Sequence, residues 1–139
     1  MTAELPLAVH ALVYLQHTQR VTSSRELAEN ICTNPARVRK VMAKLHHAGL
    51  IESTQGKGSG YRTLPGSGSV TLDTVLLALE ETAISLNWRS GDMDRECLVS
   101  SGMGDVMDGL YAQLNETCMK QLRGITIDSV SDLIFKKER

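Results

Sequence analysis

Two helix starts set eleven residues apart constrain this chain more than any other feature. Ser23-Ser-Arg-Glu26 has capping-box spacing: a serine can accept from the amide three residues on, and Glu26 can reach back to the Ser23 amide. Asn34-Pro35 is a second start, a capping side chain followed by proline at the first helical position. The first of these helices buries Leu27, Ala28 and Ile31 and ends near Asn30. The second buries Val38, Val41, Met42 and Leu45 and stops at Ala48-Gly49-Leu50, the pattern of a left-handed glycine cap. Only Ile31-Cys32-Thr33 is left for the turn between them, which is the spacing of a helix-turn-helix.

The flanking segments extend that motif. Leu5, Ala8, Val9, Leu12 and Leu15 recur at helical spacing behind Pro6, so a helix precedes the pair. After it, Leu50–Thr54 and Tyr61–Leu64 read as strands joined by Gln55-Gly-Lys-Gly-Ser-Gly60, a hairpin with a flexible basic tip. A hairpin appended to a helix-turn-helix is a wing. Beyond the turn at Pro65–Ser69, Thr71 can cap a helix with Leu72, Val75, Leu76 and Leu79 on its inner stripe. Residues 87–101 lack periodicity and read as a loop. From Gly102 a long helix carries Met103, Val106, Met107, Leu110, Leu114, Cys118 and Leu122 at steps of three and four. Such a stripe can pack on its own domain or on a twin. Thr126 opens a last short helix with Ile127, Val130, Leu133 and Ile134.

Charge supplies the first functional hint. The net charge of −1 conceals an uneven split. Residues 1–70 hold eight Lys or Arg against four acids, whereas residues 71–139 hold seven against twelve. A basic first half suits a polyanion. With no apolar run long enough for a membrane span and no basic region ahead of an apolar one, the expectation is a soluble cytoplasmic protein with no membrane partner. Three cysteines without metal-finger spacing fit reduced thiols better than a disulfide framework. Phosphate-binding loops, Cys-x-x-Cys pairs and nucleophile elbows are absent from the sequence, so no enzyme chemistry and no cofactor is expected.

The basic residues of the helix after Asn34 carry the expected contact with double-stranded DNA. Arg37, Lys40 and Lys44 lie at i, i+3 and i+7, with Arg39 on the flank, and are expected on the solvent face opposite Val38, Val41, Met42 and Leu45. Arginine can read guanine bidentately in a major groove, and lysine supplies phosphate charge. Asn34, with the free amides of that helix start, and Ser24, at the start of the preceding helix, are further phosphate contacts. Lys57 at the wing tip and Arg62 on its returning strand complete the set. The bland alternative is a solvated basic helix. Tyr61 is expected to pack the hairpin onto the third helix rather than stack on a base.

Asn34-Pro-Ala-Arg-Val-Arg-Lys-Val-Met-Ala-Lys-Leu-His-His-Ala-Gly-Leu50, followed by Gly56-Lys-Gly-Ser-Gly-Tyr61 and by Val70-Thr-Leu-Asp, resembles the Rrf2 family of bacterial winged-helix transcription regulators. The resemblance runs over nearly the whole chain. It implies a mainly α fold, a winged helix-turn-helix with a two-stranded wing plus a long C-terminal dimerisation helix. It further implies a homodimer joined by the Met103–Leu122 stripe, bound to a palindromic operator, usually as a repressor. On that reading residues 1–80 form the DNA-binding domain, 81–101 a mobile sensor loop, and 102–139 the dimerisation helix and C-terminal helix.

Cluster-binding members of that family place three close cysteines in the loop after the fourth helix, where this chain has Cys97 alone. Two ligands are missing from that loop, so a cluster is not expected, and Cys97 is left as a candidate sensor thiol paired with Cys32. Cys32 either fills a small packing position or gains thiolate character from the helix that follows it. For Cys97, Asp94 and Glu96 are expected to raise the thiol pKa and Arg95 to lower it. Cys118 falls on the apolar stripe and reads as core. The function expected is a dimeric DNA-binding regulator, released by thiol oxidation. The alternatives are control by a small molecule or a partner protein, and a winged helix that binds protein rather than DNA.

Overall fold

The computed structural model describes residues 3–136. It comprises α1 (Glu4–Thr18), α2 (Ser24–Ile31), α3 (Pro35–His47), β1 (Ile51–Thr54), β2 (Gly60–Thr63), a 3-10 turn at Ser67–Ser69, α4 (Leu72–Ala78), α5 (Leu98–Arg123) and α6 (Ile127–Phe135). This is the expected fold: a mainly helical winged helix-turn-helix with a two-stranded wing and a long C-terminal helix.

Helix ends follow the capping side chains. The Ser23 hydroxyl accepts from the Glu26 amide at 3.1 Å, and the Asn34 side-chain Oδ1 accepts from the Arg37 amide at 2.8 Å. The reciprocal half of the first capping box does not form. Instead of reaching the Ser23 amide, the Glu26 carboxylate takes Arg20 at 2.5 Å and the Tyr14 hydroxyl at 2.7 Å, because a guanidinium and a phenol offer stronger donors than one amide. Those bonds, Arg20 first, hold the Glu26 carboxyl below its ordinary range. The complete box is at α6, where Thr126 and Ser129 cap each other's amides.

The core is one cluster. The inner face of α3 (Val38, Val41, Met42, Leu45) is fully buried against Leu12 and Leu15 of α1, Leu27 of α2, Val75 and Leu76 of α4, and Leu79 just after it. Ile127 of α6 joins them. The starts of α4 and α6 are stitched by backbone: the Leu72 amide donates to Ile125 and the Ile127 amide to Val70, at 2.9 and 3.0 Å.

The wing pairs antiparallel, Ile51 with Thr63 through Thr54 with Gly60; the first strand starts one residue later than expected and ends at Thr54 as expected, and the second lies one residue earlier at both ends. A third segment, which no local signal in the sequence announces, joins it. Thr22, fully buried just before α2, exchanges both backbone hydrogen bonds with Tyr61 at 2.9 Å. A side chain at Gly60 would collide with the Thr22 carbonyl, so the ribbon lies this close only because that residue has none.

The long helix begins at Leu98, four residues before the expected Gly102. Its first turn lies within the segment expected to be a loop, because Gly91 and Asp92 fold back on it: the Asp92 amide donates to the Ser100 carbonyl at 3.0 Å. That contact carries the helix back through Leu98, Val99, Ser100 and Ser101, a stretch that shows no periodicity.

Gly60→Ala should destabilise the fold by about 1–3 kcal/mol through overpacking against Thr22. Urea denaturation measures the loss, and amide exchange at Thr22 and Tyr61 should accelerate first. Unchanged stability would mean that the ribbon moves away at no cost.

Candidate nucleic-acid interface

Helix α3 turns about 100° per residue, so residues seven apart drift by only about 20°. Val38, Val41, Met42 and Leu45 face the core, and the ridge directly opposite is Ala36, Lys40, Ala43 and His47, all exposed. Arg39 falls on one flank of that ridge, Arg37 and Lys44 on the other.

The Arg39 flank faces the wing. Arg39 shares a cleft of about 200 Å³ with Ser23, Ser24 and Arg25 of the α2 start and with Ser53 and Tyr61 of the ribbon. Burial pushes the Tyr61 hydroxyl pKa up, with the Arg39 charge acting the other way, so the phenol stays neutral beside the guanidinium. Tyr61 packs against the common core rather than standing free, and its strand lies against α1. Arg25, not among the residues expected from the sequence, extends from the first turn of α2 with 86% of its side chain exposed. Its signal was its place two residues after the capping Ser23, where a long cation projects from the first turn of the helix.

On the opposite flank Lys44 is committed internally and Arg37 is not. Lys44 was expected on the solvent face, but it is half-buried, and its ammonium donates to Glu4 at 2.8 Å and to the Leu79 carbonyl at 3.4 Å. The Glu4 hydrogen bond raises the Lys44 pKa further. Seven residues after Arg37, Lys44 stays on the side of α3 that abuts α1, and the α1 carboxylate takes it. Lys40 stands 3.8 Å from the other Glu4 oxygen and remains largely exposed. Arg37 is exposed on the rim of a shallow depression shared with Cys32 and Thr33. The Asn34 side-chain oxygen is taken by the Arg37 amide, so its role in the structure is that of a cap.

In the wing, Lys57 is exposed between Gly56 and Gly58, both at positive φ, where glycine lets the tip fold tightly. Arg62 is paired across the ribbon with Glu52 at 2.6 Å. Strand alternation puts that pair on the face away from Ser53 and Tyr61, behind the wing rather than toward α3.

The thiols are free and separately placed. Cys32 ends α2 in a left-handed conformation (φ 66°) and is exposed, so it does not fill a packing position. Cys97 is also exposed and caps α5, where the backbone amides of Ser100 and Val99 lower its thiol pKa. Helix-start amides thus set the direction in place of the Asp94, Glu96 and Arg95 charges. Cys118 is half-buried against the chain's own core together with Leu122. The rest of the stripe is bare: Val106 is 65% exposed, with Met103, Leu110 and Leu114 beside it, and Met107 is half-buried. The segment before α5 is tied to it by Arg89, which lies across Gly104 onto Asp105 and Asp108, and by Asn115, which bonds both backbone groups of Ile84.

Comparison with known proteins identifies the family and supports the fold. The profile of the Rrf2 family, described as iron-dependent transcriptional regulators, matches residues 1–133, and the chain belongs to that family. The family is one of transcriptional regulators rather than enzymes. A protein of Rhodopseudomonas palustris, BadM, described as a candidate HTH-type transcriptional regulator, is 28% identical over 120 residues, covering 86% of this chain and 72% of its own. A solved candidate transcriptional regulator from Lactobacillus plantarum superposes with TM-score 0.80 at 24% identity, over 96% of this chain and 91% of its own. CymR, the global cysteine regulator of B. subtilis, superposes with TM-score 0.67 at 15% identity, over 96% of each chain. The iron in the family description finds no ligand set here: among the described residues no three His, Cys, Asp or Glu side chains are grouped to hold a metal ion. Nor is any described helix long and apolar enough to cross a membrane.

Arg39→Ala should weaken DNA binding by roughly 1–3 kcal/mol and relax base preference, the loss of a bidentate guanine contact. Lys44→Met should lower the melting temperature while leaving DNA affinity far less affected. Fluorescence anisotropy beside thermal melts separates them; equal affinity losses would return Lys44 to the DNA face.

Proposed function

We propose that this protein is a homodimeric, sequence-specific repressor that binds a palindromic operator and is released by thiol oxidation. The observation that carries the DNA-binding part is the cleft joining Arg39, Arg25 and Ser24 to the wing. It sets two guanidinium groups and helix-start amides along one flank of an exposed recognition helix. Arg39, with Arg37 and Lys40, reads the major groove, while Lys57 and Arg25 hold phosphates. Membership of a family of transcriptional regulators supports this reading, and the regulatory role of the structurally similar CymR is consistent with it. Residues 1–80 carry the DNA contacts, and α5 with α6 carries assembly.

Assembly rests on the bare stripe of α5. Met103, Val106, Leu110 and Leu114 form an apolar ridge that the chain does not cover, and pairing with a second copy buries it. Changing both Leu110 and Leu114 to Asp should yield monomers in sedimentation velocity and abolish cooperative binding to half-sites about 34 Å apart. Dimers that persist would place the seam elsewhere.

Release rests on Cys97. A thiol lowered by helix-start amides carries more thiolate near neutral pH, and the thiolate is the form that peroxide attacks. Peroxide takes two electrons from Cys97 and Cys32, yielding a disulfide and two waters, and the bond shifts the turn that holds α3. Cys97 should therefore alkylate with iodoacetamide at pH 7 faster than a free cysteine thiol does. Oxidant-dependent release should vanish in Cys97→Ser and Cys32→Ser and persist in Cys118→Ser. Release that survives in both of the first two would transfer control to another signal, for which the exposed Trp88, Leu98 and Val99 favour a partner protein.

A further inference from the structure

Lys40 and Lys44 stand about one turn apart on α3, and a single carboxylate reaches both. Glu4, in the first turn of α1, accepts from the Lys44 ammonium at 2.8 Å through Oε2 and stands 3.8 Å from the Lys40 ammonium through Oε1. Leu5, Leu7 and Ala8 beside it are buried, and the Glu4 side chain is itself only 14% exposed, so the carboxylate is fixed in place.

The two lysines are held to different degrees. Lys44 has anchors besides Glu4: the Leu79 carbonyl at 3.4 Å and the charges of Glu81 and Glu80 nearby. Lys40 is 71% exposed on the ridge opposite the core, and its ion pair among the described residues is the one with Glu4. So exposed a pair adds little stability. What it changes is the charge offered to a ligand. A free lysine on a recognition helix attracts the phosphates of any duplex, whereas a lysine beside a fixed carboxylate offers them less net charge.

We propose that Glu4 is a positioning residue for sequence discrimination: by keeping Lys44 off the DNA and tempering Lys40, it suppresses sequence-independent binding without touching DNA itself. A phosphate approaching Lys40 also meets the negative charge of Glu4. Lys40 therefore contributes where a base edge in the groove offers acceptors to the tethered ammonium, and contributes little wherever only backbone is within reach. Discrimination gains from weakening the wrong complex as much as from strengthening the right one. This role rests on the DNA-binding reading above; the sharing of one carboxylate by two lysines does not.

The test is fluorescence anisotropy of the full reduced chain across a salt series, on a random-sequence duplex and on a duplex the protein selects from a random pool. Glu4→Gln should bind the random duplex about threefold or more tighter at low salt and steepen the slope of log affinity against log salt by about one. The affinity ratio between the two duplexes should narrow. Lys44→Met removes the same 2.8 Å bond and should lower the melting temperature without steepening the slope, which separates charge from loosened packing. Adding Lys40→Gln to Glu4→Gln should return the slope to that of Lys40→Gln alone. An unchanged slope in Glu4→Gln, equal steepening in Lys44→Met, or steepening that survives without Lys40 overturns the proposal. Failure of the wild type to select any duplex instead overturns the DNA-binding reading, and the discrimination role with it. The side-chain NMR resonances of Lys40 and Lys44 in the free protein then read the shared carboxylate directly. Both should shift in Glu4→Gln while those of Lys57 and Lys120 stay, and an unmoved Lys40 overturns the sharing.

Discussion

The backbone exchange between Thr22 and Tyr61 is the contact on which the geometry of the functional face depends. It turns a two-stranded hairpin, marginal by itself, into an extension of the helix-turn-helix. Thr22 is fully buried immediately ahead of the Ser23 cap, so the strand pairing and the start of α2 share one anchor. Through that anchor the positions of Arg25, Arg39 and Tyr61 become parts of one rigid arrangement. The absence of a Cβ at Gly60 is what lets the two backbones meet.

Electrostatics then sorts the basic residues into structural and available ones. Glu4 takes Lys44 and stands near Lys40, tying the start of α1 to the recognition helix. Glu52 takes Arg62 behind the wing, and Glu26 takes Arg20 under α2. These pairs are at least partly exposed and contribute little stability each. Arg25, at the start of α2, also lies 3.8 Å from Glu29 but stays exposed, and Arg39, Arg37 and Lys57 face outward.

The second half is organised by polar clasps rather than by a core of its own. Among the residues of α5 only Gly104 is buried, and it is buried under the Arg89 guanidinium. Asp73 of α4 holds Arg123 at 3.3 Å, and with the Thr71 hydroxyl, the larger influence, its carboxyl is kept below the ordinary range. Such clasps fix where α5 stands without covering its apolar ridge, which explains how one helix can be both docked and bare.

Helix-turn-helix, wing and long helix were legible in the sequence because each is signalled locally, by a capping side chain, a glycine turn or a spacing of three and four. Buried positions of α3 followed from periodicity alone, and all four are fully buried. The partner of each polar residue was not legible. Whether Glu26 meets an amide or Arg20, whether Lys44 faces solvent or Glu4, and where the Cys97 pKa moves are decided by residues distant in the chain or by backbone dipoles that exist only once a helix has formed. The first turn of α5 belongs with these, since the fold-back of Gly91 and Asp92 creates it. Local pattern determined the elements, because a cap or a stripe acts within one or two turns. The tertiary structure alone decided which charges remain for a ligand, because Coulomb and hydrogen-bond partners are chosen by distance in space and not along the chain.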